Sequence, residues 1–209
     1  LHKEMPFDMR AAMGHVTNGR PIFVYGLNPN IGIAEETIWY HGGVYSYPPS
    51  ATQMTVSSDD AGATSQVMIN GLDANYVEIN EIITITGQTP VTTVKSYLRI
   101  QSAYVMANET SGNIYIGTGT VTAGVPANVY ERIYDGDNRT QSGLYTVPAG
   151  KTLYITHGTI SHGSDSGAIV TGKFKYRLLG MPFQTAAAVA LNNKYIDWWW
   201  TYPIALPEK

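Results

Sequence analysis

His157 and His162, with Asp165 just beyond, are the residues most suggestive of a metal or acid–base site. Imidazole and carboxylate groups are ligands that zinc takes, but it takes three or four of them. Residues five apart on a continuous strand point to opposite faces, so a shared ion would need Gly158 or a bend to re-aim one ring. His2, His15 and His41 are scattered, and the pair reads as polar surface histidines beside a glycine loop. Asp135-Gly136-Asp137-Asn138 resembles the start of a calcium loop, but Arg139 fills the fifth position and the downstream glutamate is missing. It reads as a β-hairpin tip. Ala149-Gly150-Lys151-Thr152 resembles the end of a phosphate-binding loop. Tyr145 stands where that loop needs its first glycine, and a β pattern replaces the helix whose amides would meet the phosphate. Gly117-Thr118-Gly119 is a glycine pair within a strand. No Gly-x-Ser-x-Gly elbow occurs. The acid pairs Glu35/Glu36 and Asp59/Asp60 are adjacent in sequence, so in extended chain they point apart. The residues predict a non-enzymatic protein without cofactor or metal. Two glycosylation sequons, at Asn108-Glu109-Thr110 and Asn138-Arg139-Thr140, read as chance without a secretory signal.

Trp198-Trp199-Trp200, flanked by Tyr195 and Tyr202, offers burial and stacking instead. Strand residues alternate faces, so Trp199 points one way and Trp198 and Trp200 the other. One face can enter a core. The other needs cover from another subunit, a ligand or the N-terminal segment. A sugar-stacking platform is the rival reading, but aromatic enrichment at interface cores favours intersubunit burial.

Composition bounds the scaffold that must position these residues. The chain has 209 residues, 44% of them apolar and only 14% charged, which is enough to bury a core and too little charge for a disordered chain. A net charge of −3 leaves no basic field for a nucleic-acid backbone. The absence of cysteine excludes disulfides, thiolate nucleophiles and iron–sulfur clusters. No apolar run approaches the roughly 20 residues of a membrane helix, and no signal-peptide pattern follows Leu1. Few charges mean little repulsion between copies, which suits life inside an assembly.

Residues 1–50 differ from the rest. Ala11–Gly14 is a short helical patch, 21–26 and 36–40 read as short strands, and Pro29, Gly42-Gly43 and Pro48-Pro49 break the chain. This segment reads as an extended arm, with ordinary loops on the same domain as the alternative. From residue 51 to 209, Val, Ile, Thr and Tyr dominate and turns recur about every 8–12 residues, the cadence of a sandwich or barrel. Strands are expected over 53–57, 65–70, 76–86, 97–105, 113–121, 129–134, 144–147, 152–160, 173–178, 186–191 and 195–202. Within them Ile83 and Ile85 share one face and Thr84 and Thr86 the other. Leu98 and Ile100 face inward opposite Arg99 and Gln101. Phe174, Tyr176 and Leu178 oppose Lys173, Lys175 and Arg177. The predicted fold is all-β: an antiparallel β-sandwich, jelly-roll-like, with an extended N-terminal arm.

The order of these segments resembles a family of tailed-bacteriophage virion proteins, common in phages of marine and freshwater bacteria. Glu36-Thr37-Ile38-Trp39 with Gly42-Gly43-Val44-Tyr45 is similar to the family's IW-x-x-GG-x-Y segment. Gly71-Leu72-Asp73-Ala74-Asn75-Tyr76 with Glu78 resembles its GLDANY-x-E segment. Thr84–Gly87 with Val91-Thr92-Thr93, and Leu98-Arg99, resemble its TLNGT-x-x-VTT turn and FLR strand. Residues 145–152 are similar to its YTVPAGKT segment. The match runs in consistent order over most of residues 20–180, departs at the shorter 58–60 loop, and the family continues for a further strand or so past Lys209. The resemblance implies a virion structural protein with no catalytic residues to carry over. The favoured expectation is a capsid decoration (cement) protein on the capsid surface of the virion. It would bind the major capsid protein and copies of itself as a homo-oligomer, with a trimer favoured, and touch neither nucleic acid nor membrane. The interface candidates are Ile22, Phe23, Trp39 and Tyr40 in the arm, and Trp198, Trp199 and Trp200 near the C-terminus. One alternative is a tail or fibre component that attaches to host-surface glycans. A depolymerase-like hydrolase is a further rival, but it needs paired carboxylates about 5–10 Å apart that the sequence does not offer.

Overall fold

A computed structural model describes residues 5–108, 111–163, 169–192 and 195–208. Leu1, His2, Glu109, Thr110, Asp165 and Lys209, which figured in the sequence reading, lie outside the described residues.

The chain is all-β apart from one short helix, α1 (Phe7–Ala12). Eleven strands follow among the described residues. Strands β1 (Thr52–Ser58), β4 (Val91–Tyr97), β6 (Ile114–Thr122) and β7 (Val125–Ile133) form an antiparallel sheet in the order β4-β1-β6-β7. Strands β2 (Gln66–Leu72), β3 (Glu78–Thr84) and β5 (Arg99–Ala107) form a second, in the order β3-β2-β5. The alternation that makes each strand also makes one shared core. Met54 and Val56 of β1, Val67 and Ile69 of β2, and Ile114 and Ile116 of β6 all belong to it. Ile83 and Ile85 enter it while Thr84 and Thr86 stay exposed, as their spacing predicts.

Two departures have local causes. Strand β4 goes beyond the turn read at Val91-Thr92-Thr93, because Thr93 and Tyr97 are buried while Lys95 between them is exposed, an alternation too polar to stand out. Its exposed middle is held by Glu81, whose carboxylate accepts the Val94 amide at 3.0 Å and the Lys95 amide at 2.7 Å. On β5, Arg99 lies on the face opposite Ile100, as expected, yet it is buried, because Tyr47 covers that face. The Arg99 guanidinium lies 4.5 Å from the Tyr47 ring centre and donates to the Leu98 carbonyl.

The expected strands at 21–26, 36–40 and 144–147 do not form. These stretches run as extended, unladdered chain that pairs at a few points. Trp39 bridges Ser142, the Leu27 amide donates to the Gln141 carbonyl, and the Gly143 amide donates to the Ile38 carbonyl at 2.8 Å. Pro21, Pro29 and Gly26 between them deny the first of these stretches a continuous ladder.

The last 60 residues build two hairpin-like sheets, neither closing into a barrel. Strand β8 (Thr152–Ser161) pairs β11 (Tyr195–Pro207), and β9 (Val170–Tyr176) pairs β10 (Gln184–Leu191). Strand is thus correct for the alanine-rich run 186–191, where helix propensity competed. The two sheets meet through Trp200 on Phe174, ring centres 5.7 Å apart, and through Ile160 over Gly172. Trp198 lies flat on Gly158: a Cβ there would sit 2.6 Å from the indole. Gly158→Ala should therefore displace Trp198 and destabilise the β8–β11 pair by about 1–3 kcal/mol, read as a drop in the midpoint of tryptophan-fluorescence unfolding. An unchanged midpoint would contradict this packing.

Candidate functional site

The seven candidate residues divide sharply by exposure. Trp39 is only 4% exposed and is spent within the chain. Its indole Nε1 donates to the Gly43 carbonyl at 3.1 Å, and its ring meets Tyr45 edge-on at 4.8 Å. Tyr40 is half-buried and stacks on Tyr134 of the hairpin tip. Ile22 and Phe23 are open to solvent, Phe23 at 79%. Trp200 meets Phe174 of β9 and the Trp198 ring, Trp198 lies over Gly158, and Trp199 points away and is 70% exposed. The sequence's face assignment for the three tryptophans is therefore what the fold contains.

Residues 26–48 are clamped to the body by polar groups as well as rings. Glu36 ties its own loop, accepting the Asn28 side-chain amide at 2.9 Å and the Gly32 and Gly43 amides at 2.9 and 3.0 Å. These donors hold its carboxyl below the usual range. Glu35 points the other way, to Lys173 at 2.7 Å and to Lys175 on β9, and those lysines hold its carboxyl down to about 2. The adjacent acids thus diverge as extended chain requires. Asp59 and Asp60 do likewise: Asp59 accepts from Asn113 and Tyr115, and Asp60 from Ser111 and Gly62. Tyr47 sits between Arg99 and Arg177, 4.5 and 5.2 Å from its ring centre. This segment therefore contacts both β5 and the chain just beyond β9.

Beneath it lies a group the sequence reading missed. Glu131 on β7 is only 2% exposed, beside the Ser142 hydroxyl and close to Tyr45. Burial pushes its carboxyl up to about 8, although Ser142 and the Arg132 amide favour the charged form. The same burial, with Glu131 near, pushes the Tyr45 phenol up. An acid in Tyr-Glu-Arg-Ile looks like any outward strand residue, yet Glu131 lies opposite Ile116 on the side of β7 that it shares with Ile133.

Residues 20–25 pass over β2, β3 and β5 above a groove of about 530 Å³, anchored by Arg20 paired to Glu78. On the far module, the outward face of β8–β11 carries Tyr154, Tyr195 and Trp199, all exposed. His157 stacks on Trp199, ring centres 4.2 Å apart, and pairs with Asp197, which also accepts from Thr159 at 3.1 Å. These partners hold the Asp197 carboxyl below its ordinary value. Among the described residues, no group of three or more His, Cys, Asp or Glu is placed to hold a metal. No helix among them is long and apolar enough to cross a membrane. The chain matches no family model, no curated protein and no solved structure.

Proposed function

We propose that this chain is a non-enzymatic structural protein of a bacteriophage particle. It sits as a decoration protein on the capsid surface, bound to the major capsid protein and to copies of itself, with a trimer favoured. One observation carries the reading. The N-terminal segment is anchored at residues 26–48, yet leaves Phe7, Met9, Met13, Ile22 and Phe23 exposed. A tethered apolar strap of this kind suits contact with a neighbour, since loose apolar segments are otherwise a liability. The ordered likeness of residues 20–180 to phage virion proteins points the same way. A jelly-roll-like sandwich fits this role: the chain passes between the four- and three-stranded sheets at β1–β2, β3–β4, β4–β5 and β5–β6, around one core.

Each few hundred Å² of strap buried contributes several kcal/mol at about 25 cal/mol per Å², before the entropy of association is subtracted. Repeated over many copies, modest contacts would brace a shell. The test is co-sedimentation with capsids lacking the protein. Ile22→Asp with Phe23→Asp should lower occupancy at least about tenfold, a loss of about 1.4 kcal/mol. Undiminished occupancy would mean that the strap does not contact the capsid. A tail or fibre position with glycan attachment is the second reading. It is favoured by exposed Trp199 beside the Asp197 carboxylate and the Thr159 hydroxyl.

A further inference from the structure

The chain exposes 12374 Å² of surface. A folded monomer of 22.8 kDa is expected to expose about 9,600 Å². The excess of about 2,800 Å² is of the size that obligate assemblies bury. Part of it belongs to the strap. The rest has a specific place. Among the described residues from 151 onward, only Gly172 and Leu191 are buried. Each of the four strands there has one partner only, so each leaves an unpaired edge. Two-stranded sheets are marginal in water alone. Their inner faces are occupied by Ile160, Phe174, Trp198 and Trp200, so the missing cover is on the outside.

That outside face has the composition of an interface core. Cross-strand pairing sets Trp199 beside His157, Asp197 beside Thr159, and Tyr195 beside Ser161 on one side of β8–β11. Asp197 is the one carboxylate of these three pairs and is already paired within the chain, to His157. Aromatic rings with little net charge are what buried interface centres carry. We infer that the outward face of β8–β11 packs against a second copy of this chain, and that the C-terminal module is completed only in the resulting homo-oligomer. The second copy is the occupant that the area favours: a glycan would cover one or two rings, not an excess of this size. This inference does not depend on where in a particle the protein sits.

The test is the mass of the full chain by native mass spectrometry and light scattering at tens of micromolar. Wild type should run at two or more times 22.8 kDa. Tyr195→Glu with Trp199→Glu should weaken self-association at least about tenfold, about 1.4 kcal/mol. Phe23→Asp, in the strap, should leave the mass unchanged. Hydrogen exchange of wild type on dilution guards against a variant that merely unfolds the module: β8 and β11 amides should lose protection as the assembly dissociates, while β1 and β6 keep theirs. A wild-type chain at 22.8 kDa, a double variant that still assembles, or protection in β8 and β11 indifferent to dilution would each overturn the inference. A chain found monomeric would return this face to a capsid protein or a glycan.

Discussion

Glu131→Gln is expected to flatten the pH dependence of folding stability between about pH 4.5 and pH 8. In the native chain this carboxyl is buried and titrates near 8, against an ordinary value of 4.5. Below 4.5 both folded and unfolded chains carry the proton, and its stabilising effect is fully present. Between the two values the unfolded chain releases the proton and the folded chain keeps it. Stability then falls by about 1.4 kcal/mol per pH unit until the folded carboxyl also ionises. Gln has the same shape and no proton to lose. His41 acts in the opposite sense, since burial and Arg132 hold it low and stability gains as its unfolded form deprotonates. Glu35, Glu36, Asp60 and Asp197 are all held low, and their contributions are lost only in acid. The decisive comparison is therefore variant against wild type, by urea unfolding at pH 5, 6.5 and 8.5. A wild type that loses several kcal/mol over this range beside a flat variant is the expected result. Parallel curves would mean that Glu131 is hydrated and the segment over it loose.

Trp39→Ala tests the same clamp from the other side. Removing a buried tryptophan costs about 3–5 kcal/mol. Here the loss falls on a segment held by few backbone hydrogen bonds, so it should appear as local release before global unfolding. The Nε1 bond to Gly43 and the edge contact with Tyr45 go together. Chymotryptic cleavage after Tyr45 should accelerate more than about a hundredfold, since each 1.4 kcal/mol of local opening is a factor of ten. The β1–β7 core should keep its melting transition within a few degrees. Unchanged digestion would show that the segment is fixed by Glu36 and the Glu35–lysine pairs alone.

The regular strands were legible because their chemistry is repetitive. Ile83 and Ile85, Phe174 and Tyr176, and the three tryptophans all sit where a period of two places them. The polar strand β4 was not legible, because its buried positions are Thr93 and Tyr97 and its support is a distant carboxylate, Glu81. Arg99 and Glu131 escaped the sequence for different reasons. Arg99 lies on the outer side of β5 under a roof, Tyr47, laid down more than 50 residues earlier, and Glu131 is an acid on the inner side of β7, opposite Ile116 and in step with Ile133. Packing within residues 39–47 turned Trp39 from a candidate interface residue into an interior one. Of the candidate surfaces, Phe23 and Trp199 were legible as aromatic residues with nothing nearby in sequence to cover them. The pairing of His157 with Asp197 was not, because β8 and β11 meet across 40 residues.

We propose that the protein is a repeated component of a phage shell. The most direct measurement is its copy number in purified particles, by quantitative mass spectrometry against the major capsid protein. Hundreds of copies in simple ratio to that protein are predicted. A few dozen copies would move the chain to a tail or fibre, and absence from the particle would contradict the structural reading altogether.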